Sequence, residues 1–376
     1  MNFYLPVRLY TGRGCVGQHG EELRALGKMC TLVTGKTAAE KSGALKDMTD
    51  TLQEAGTGFT AFHGIEQNPS VRSCMEGGAE AREAGAEFII GIGGGSALDA
   101  AKAAAVFAAN PALEEDGFYS RQWKADPLPI VLIGTTSGTG SEVTKVSVLT
   151  DSRKRKHSIH DDRLYARLAF GDSRYTEALP RTTTLTTGID VLAHCAESYF
   201  SRKADEISRA YAVRGVRLLA APLRKAAEGT ELTPEDREQL YEASILGGMA
   251  INTTGTCFPH NVGYYLTENF GVPHGFASAA FLPDLLEIAG KADGRYREDF
   301  FLECGIGENA LLELTKECLP EFNFTMTEQE IEDALPRWEN NGSVSNTRAD
   351  VDTALIREML RKHLIRSSVR TGAPSP

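Results

Sequence analysis

The sequence predicts an α/β amino-terminal domain with a Rossmann-like parallel sheet, residues 1–180, followed by an all-α carboxyl-terminal domain, residues 181–376. At 376 residues the chain exceeds what one hydrophobic core usually organises. Its first half alternates short apolar runs with helical patterns, as parallel strands joined by crossover helices do. After Leu179-Pro180 long helical patterns dominate, and we place the domain boundary there.

The elements follow from these patterns in chain order. Short apolar runs predict strands at residues 30–34, 59–62, 88–92 and 129–133. Helical patterns between them predict helices at residues 39–55, 71–84 and 97–109. Residues 145–150 and 168–171 are expected to form edge strands that complete the first domain. Helices are predicted in the second half at residues 193–200, 206–227, 234–252 and 352–364, and a frayed tail at residues 367–376.

Composition excludes several classes of protein. Hydrophobic residues make up 41% and charged residues 24%, which is typical of a globular chain. The net charge of -11 speaks against nucleic-acid binding, which needs a basic face. No apolar stretch is long enough to span a bilayer, and the first ten residues lack a signal-peptide pattern. Seven cysteines without a Cys-x-x-Cys pair indicate reduced thiols, so we expect a cytoplasmic protein.

Two glycine-rich loops follow predicted strands. Residues 93–99, Gly-Gly-Gly-Ser-Ala-Leu-Asp, end one strand and open a helix, where bare backbone and the helix amino terminus suit a pyrophosphate. Such a run alone is as often a tight turn. Residues 134–142 supply glycines and hydroxyls where the fourth strand stops. Two such loops side by side predict a dinucleotide site.

The residues at the end of the first predicted strand indicate whether NAD or NADP is preferred. A carboxylate there would bond the adenosine ribose and repel a 2′-phosphate. Gly35 and Lys36 occupy this position instead. We therefore expect a preference for NADP(H), with Lys36 near the extra phosphate.

A metal site is indicated by one carboxylate and three histidines. Asp190 and His194 are four residues apart in a helical pattern, so both side chains point from one face. His260 and His274 follow later in the chain. A mixed nitrogen and oxygen set suits Fe²⁺ or Zn²⁺. Any one of these histidines alone would more often be structural.

Four ordered motifs resemble the iron-dependent (group III) alcohol dehydrogenases. They are residues 93–99, residues 135–144, residues 188–197 and the spaced His260 and Pro273-His274-Gly275, within a likeness running from about Tyr10 to about His363. The resemblance implies a dehydroquinate synthase-like architecture and hydride transfer between a small alcohol or aldehyde and NAD(P). It also implies a metal held by Asp190, His194, His260 and His274, and a homodimer.

The same resemblance implies the residues that contact the dinucleotide. These match Gly94, Gly95, Ser96, Asp99, Thr135, Thr136 and Thr139. Lys156, at the end of the basic run of residues 153–156, is similar to a lysine that reaches the cofactor. Tyr264 is a departure, because many members carry a histidine there; it could donate a hydrogen bond or simply pack.

Three alternatives remain open from the sequence. A related enzyme could act on polyols such as glycerol, or exchange hydride between a hydroxyacid and an oxoacid. A dehydroquinate synthase-like lyase shares the layout, but residues 139–142 and the spacing of Asp190 and His194 favour the dehydrogenases. A non-catalytic nucleotide-binding protein is disfavoured by the four candidate ligands.

Overall fold

The computed structural model describes residues 3–364, so the tail predicted at residues 367–376 lies outside the described residues. The strands are β1 (Arg8–Thr11), β2 (Met29–Gly35), β3 (Gly58–Ile65), β4 (Phe88–Gly93), β5 (Ile130–Gly134), β6 (Val146–Thr150), β7 (Lys156–His160) and β8 (Leu168–Gly171). Six of them form one parallel sheet in the order β1-β8-β5-β4-β2-β3. The predicted α/β fold class is confirmed.

Helices cover the sheet and build the second half. In the first half they are α1 (Gly20–Arg24), α2 (Ala38–Lys41), α3 (Ala44–Glu54), α4 (Val71–Glu83), α5 (Gly95–Ala109) and α6 (Glu115–Tyr119). In the second half they are α7 (Arg181–Tyr199), α8 (Glu206–Glu228), α9 (Pro234–Thr254), α10 (Phe258–Phe270), α11 (His274–Ala279), α12 (Leu282–Ala292), α13 (Gly294–Cys304), α14 (Glu308–Cys318), α15 (Glu328–Ala334), α16 (Gly342–Ser345) and α17 (Thr353–Leu364). Short 3₁₀ turns lie at Val16–Gln18, Ser141–Val143, Asp162–Leu164, Ser173–Thr176 and Leu335–Arg337.

The central strands β4 and β5 are buried along their whole length, which is why their sequences are continuously apolar. Separate apolar clusters pack on the two faces of the sheet, and a third forms the core of the helical half. Local chemistry fixes several helix starts. Asp205 and Ser208 form a capping box at α8, and Thr233 and Asp236 form another at α9.

The predicted edge strands are wrong in position. Residues 146–150 pair with Lys156–His160 in a separate antiparallel hairpin, β6–β7. Residues 168–171 form β8, which lies inside the sheet between β5 and β1. The edges are β3 and the unpredicted β1, a four-residue strand with little apolar pattern. Strand order depends on long-range pairing, which local periodicity does not encode.

Two helix predictions also need correction. The helix expected at residues 39–55 is broken into α2 and α3, because Gly43 adopts a left-handed φ of 83° between them. The helix expected at residues 193–200 is the end of α7, which begins at Arg181. The helices predicted at residues 206–227, 234–252 and 352–364 are confirmed as α8, α9 and α17. Within residues 3–364, no helix combines the length and apolarity needed to cross a membrane.

Candidate active site

The carboxyl ends of β2, β4 and β5 meet at one edge of the sheet, because these strands are parallel neighbours. The two glycine-rich loops therefore lie side by side. A Cβ atom on Gly95 would approach Thr139 Cγ2 to 2.6 Å, and one on Gly94 would approach Thr136 Cγ2 to 3.1 Å. Only glycine allows the loops this close approach, which leaves the backbone at the start of α5 open to a phosphate.

Hydroxyl groups of the second loop are available to a ligand. The Thr135 N–H donates to the Gly93 carbonyl at 2.9 Å, which ties the loops together. Among the described residues, Thr135 Oγ1 and Ser137 Oγ are buried without a hydrogen-bond partner. Buried hydroxyls are normally paired, so these atoms fit a site whose ligand completes their bonding.

Several of the expected dinucleotide contacts, Asp99 and Ser96 among them, are engaged by the protein itself. Asp99 accepts hydrogen bonds from the Ser141 hydroxyl and, at 2.9 Å, from the Val148 N–H. Ser96 Oγ accepts from the Asn68 N–H at 3.3 Å. Asp99 thus links α5 to the second loop and to β6. Asp99 lies beside the expected cofactor site, and both of its carboxylate oxygens already accept hydrogen bonds from the protein.

Gly35 and Lys36 lie at the carboxyl end of β2, next to the end of β4. Lys36 is exposed, and the described residues offer it no hydrogen bond or ion pair. Its ammonium is therefore free to meet an anionic ligand.

Lys156 opens β7 and differs from the basic residues before it. Arg153, Lys154 and Arg155 are exposed, whereas Lys156 is half-buried. Its Nζ donates to Asn68 Oδ1 at 3.1 Å and lies 5.1 Å from the centre of the Tyr264 ring. Burial lowers the pKa of Lys156, although nearby carboxylates oppose the shift. The hairpin thus places one cation between Asn68 and Tyr264.

Three of the four expected metal ligands converge. Asp190 on α7, His260 on α10 and His274 on α11 each offer one ligand atom, and these atoms lie within 4.8 Å of one another. Asp190 Oδ1 is 3.4 Å from His260 Nε2 and 3.8 Å from His274 Nε2.

His194 completes the set from the same helix as Asp190. Its ring stacks on the His260 ring at 4.6 Å between centroids, with an interplanar angle of 22°. His194 and Asp190 therefore both face His260, as their four-residue spacing on α7 predicts. His194 offers no atom to the tighter group formed by the other three.

Unpaired ligand atoms distinguish this cluster. Among residues 3–364, Asp190 Oδ1, His194 Nδ1 and His260 Nε2 are buried and make no hydrogen bond; the 3.4 Å contact between Asp190 and His260 is not aligned as one. Leaving such atoms unpaired costs free energy, since each has lost its bonds to water. A divalent cation would satisfy them together, and oxygen with imidazole nitrogen is a donor set that Fe²⁺ and Zn²⁺ accept. The residues therefore fit a resident metal.

The protonation states of Asp190, His194 and His274 suit metal ligands. Burial alone would raise the pKa of Asp190, but the surrounding histidines outweigh it and hold that pKa well below its usual range. Burial lowers the pKa of His194 to about 4. Burial and the Lys156 ammonium lower the pKa of His274. At neutral pH the site thus has an ionised carboxylate and two neutral imidazoles.

Glu197 orients His260 and was not predicted. Its Oε1 contacts His260 Nδ1, and its Oε2 accepts the Cys257 N–H at 2.7 Å. Burial alone would lower the pKa of His260, but Glu197 and Asp190 raise it to about 10, so the ring without a metal is protonated at both nitrogens. With Nδ1 held by Glu197, a cation would displace the proton from Nε2, the nitrogen that faces Asp190. A spacing of three residues from His194 on α7 could have pointed to Glu197.

Tyr264 packs beside the expected metal ligands, against His274. Its ring lies 5.4 Å from the His274 ring at 27°, with the Lys156 ammonium near it. Burial raises the pKa of the Tyr264 phenol, which stays protonated. The described contacts of Tyr264 are therefore packing contacts, the simpler of the two roles expected from sequence.

Asn68 and Lys102 were also missed. Asn68 adopts a left-handed φ of 56° and joins Ser96 to Lys156. The dipeptide Asn68-Pro69 indicates a turn but not this contact. Lys102 is fully buried and donates to Ser141 and Val146. A lysine inside the Ala-rich α5 was the available clue.

Family models match both halves of the chain. Residues 6–173 match the family model for iron-containing alcohol dehydrogenase, and residues 184–317 match its carboxyl-terminal model. The long-chain-alcohol dehydrogenase 1 of Geobacillus thermodenitrificans is 33% identical over 82% of this chain and 78% of its own length. A 1,3-propanediol dehydrogenase of Citrobacter freundii is 34% identical over 75% of this chain and 73% of its own.

A solved structure extends the similarity to the whole fold. The iron-containing alcohol dehydrogenase of Thermotoga maritima superimposes with a TM-score of 0.89 at 32% identity, over 96% of this chain and 99% of that one. These matches favour a dehydrogenase over the lyase and the non-catalytic alternatives. The chain therefore belongs to the iron-containing alcohol dehydrogenase family, and it is a metal-dependent oxidoreductase that interconverts alcohols and aldehydes with NAD(P).

Proposed function

We propose that Asp190, His194, His260 and His274 hold Fe²⁺ and that the enzyme acts on small alcohols and aldehydes with NADP(H). The observation that carries the metal assignment is the convergence of buried, unpartnered ligand atoms at Asp190, His194 and His260. The family is named for iron, whereas these ligands also accept Zn²⁺.

Separate groups of residues would hold the metal and the dinucleotide. When bound, the metal supplies Lewis acidity toward the substrate oxygen, and the nicotinamide exchanges hydride with the substrate carbon. Asp190 and the histidines place the cation where α7, α10 and α11 meet. Gly94, Gly95, Ser96, Asp99, Thr135, Thr136, Thr139 and Lys156 form our proposed dinucleotide site. We assign no side chain as an obligatory base.

The preference for NADP(H) is supported by the end of β2. Gly35 offers no carboxylate, and Lys36 presents a free, exposed ammonium. Relatives differ on this point, since one is named an NADPH-dependent butanol dehydrogenase and another an NAD-dependent methanol dehydrogenase. The preference therefore rests on the chemistry of Gly35 and Lys36 in this chain.

Metal content and cofactor use test the proposal. Protein purified without oxygen should contain about one iron per chain, and a panel of alcohols and aldehydes should show higher kcat/KM with NADP(H) than with NAD(H). Lys36→Ala should reduce kcat/KM for NADPH about tenfold, as loss of a charge-assisted bond does, and leave NADH unchanged. Lys41→Ala, which removes another exposed lysine nearby, is the control. Equal efficiency of the wild type with both cofactors would refute the preference.

The substrate panel also separates two related activities. A glycerol-type polyol dehydrogenase would prefer vicinal diols. A hydroxyacid–oxoacid transhydrogenase would exchange hydride between two substrates without net release of reduced cofactor.

We further propose a homodimeric, cytoplasmic enzyme with domains at residues 1–180 and 181–376. The start of α7 at Arg181 supports the boundary, and seven free, buried cysteines suit a reducing compartment. The dimer rests on family resemblance alone. Light scattering on the eluted peak of a sizing column would test it.

A further inference from the structure

We propose that Glu268 is a positioning residue that fixes Lys156 beside Tyr264 and Asn68, from the helical half of the chain. Glu268 follows His260 and Tyr264 at four-residue steps on α10, so all three side chains lie along one helix face. His260 belongs to the group of expected metal ligands, and the Tyr264 ring lies near the Lys156 ammonium. Glu268 accepts a hydrogen bond from the Lys156 backbone N–H.

Both oxygens of the Glu268 carboxylate are used. Oε1 accepts the Lys156 N–H at 2.8 Å, and Oε2 is 2.6 Å from Arg337 Nη2. The Glu268 side chain is only 6% exposed, so these bonds are poorly replaced by water. We call this three-residue connection, Lys156 to Glu268 to Arg337, the Glu268 bridge. It attaches the β6–β7 hairpin of the first half to the helices of the second.

The bridge is anchored on the helical side. The Arg337 guanidinium lies 5.2 Å from the Tyr265 ring, which is on α10 next to Tyr264. Arg337 therefore holds the carboxylate in one orientation while the other oxygen meets the hairpin. A carboxylate with a single partner would be freer to rotate.

Lys156 is consequently held at both ends. Glu268 binds its backbone N–H, and Asn68 accepts from its Nζ at 3.1 Å. A lysine side chain is long and flexible, so an anchored backbone limits where its ammonium can reach. Because burial already disfavours this cation, its position relative to an anionic ligand matters more than for a surface lysine. This inference rests on the proposed role of Lys156 in binding the dinucleotide.

Hydrogen exchange tests the bridge without relying on activity. In metal-free, cofactor-free protein, Glu268→Ala should speed amide exchange in peptides covering residues 150–160, because the Lys156 N–H loses its acceptor. Glu268→Gln keeps an acceptor oxygen and should restore much of the protection. Glu332→Ala, which removes an exposed ion pair with Arg357, is the matched control and should change nothing in the hairpin. Unchanged exchange in Glu268→Ala, with an unaltered melting temperature, would overturn the inference.

Dinucleotide affinity tests the consequence. Glu268→Ala should raise the Kd for NADPH about tenfold, as expected for losing one hydrogen bond to a charged group, with kcat at saturation changed by less than about twofold. In a Lys156→Ala background the same substitution should have little further effect, since no ammonium remains to be misplaced. An equal loss in both backgrounds would show that Glu268 acts by another route.

The two experiments separate two failures. If Lys156→Ala leaves the Kd unchanged, the proposed cofactor contact of Lys156 is refuted, together with the predicted effect of Glu268 on affinity. The exchange data then still decide whether Glu268 anchors the hairpin. If exchange increases but affinity in Glu268→Ala does not fall, Glu268 is a structural bridge only.

Discussion

Two buried polar clusters of this protein differ in one respect. Around Lys102, a fully buried ammonium donates to the Ser141 carbonyl and hydroxyl at 2.8 and 2.7 Å and to the Val146 carbonyl at 2.7 Å. Around Asp190, three buried ligand atoms have no partner among the described residues. The first cluster is complete in the protein alone, and the second is not.

The difference separates a structural role from a ligand site. Both clusters contain buried side chains that can carry charge, so burial alone does not distinguish them. Unsatisfied polar atoms do, because folding would not be expected to leave several of them together without compensation. The comparison predicts that disrupting the Lys102 cluster reduces stability, whereas disrupting the Asp190 cluster removes metal and activity.

The largest effect is expected for His260→Ala. Loss of one ligand should reduce bound iron and lower kcat by more than about 100-fold, beyond what loss of a supporting partner causes. Metal content and NADPH oxidation measure the two losses, and circular dichroism should show an intact fold. His19→Ala, at a histidine that stacks on Tyr10 and is not among the expected metal ligands, is the control. A fully active, metal-loaded His260→Ala variant would contradict the assignment.

Glu197→Ala should weaken metal binding by about 10–100-fold, the usual cost of removing a partner of a ligating histidine. The physical reason is that His260 Nδ1 then lacks the carboxylate that fixes its ring and its proton. Competition with a chelator measures the affinity. Glu197→Gln keeps an oxygen near Nδ1 and should lose less; an equal loss in both variants would argue against an orienting role.

Lys102→Met should reduce the free energy of unfolding by about 1–3 kcal/mol, because buried acceptors at Ser141 and Val146 lose their donor. Metal content should be unchanged, in contrast to the two variants above. Urea unfolding of metal-free protein measures the change. Lys46→Met, at a 77% exposed lysine, should have little effect. If Lys102→Met lost metal but not stability, the two clusters would not differ as described.

The smallest effect concerns a third, fully paired cluster. Asp284 accepts from Lys362 Nζ at 2.9 Å and contacts His363 Nε2 at 2.6 Å, which joins α12 to α17. Burial opposes the shift, but His363 and Lys362 lower the pKa of Asp284. Asp284→Asn should therefore reduce the free energy of unfolding at pH 7 by about 1 kcal/mol, given the partly exposed partners.

The pH dependence has a definite sign. A carboxylate with a lowered pKa stabilises the fold above its unfolded pKa and loses that contribution as the pH falls through its folded pKa. The stability difference between wild type and Asp284→Asn should thus shrink below about pH 4. Chemical unfolding across pH measures it. Asp350→Asn, at a fully exposed carboxylate paired with Arg202, should show no such trend. A constant Asp284 difference down to pH 2 would refute the linkage.

The sequence determined the fold class and the candidate metal residues. Buried parallel strands have continuous apolar sequences, which is why β4 and β5 are predictable together with their glycine-rich ends. The four-residue spacing of Asp190 and His194 is enough to place both side chains on one face of α7. Such information is local, because it depends on neighbours within a turn or a strand.

Only the tertiary structure decided which distant groups meet. It placed β8 inside the sheet, brought His260 and His274 to Asp190, and paired Glu197 with His260 and Glu268 with Lys156. The last pair is 112 residues apart in the chain. No periodicity encodes such contacts, since they depend on how whole elements pack and on which buried polar atoms are left to be satisfied.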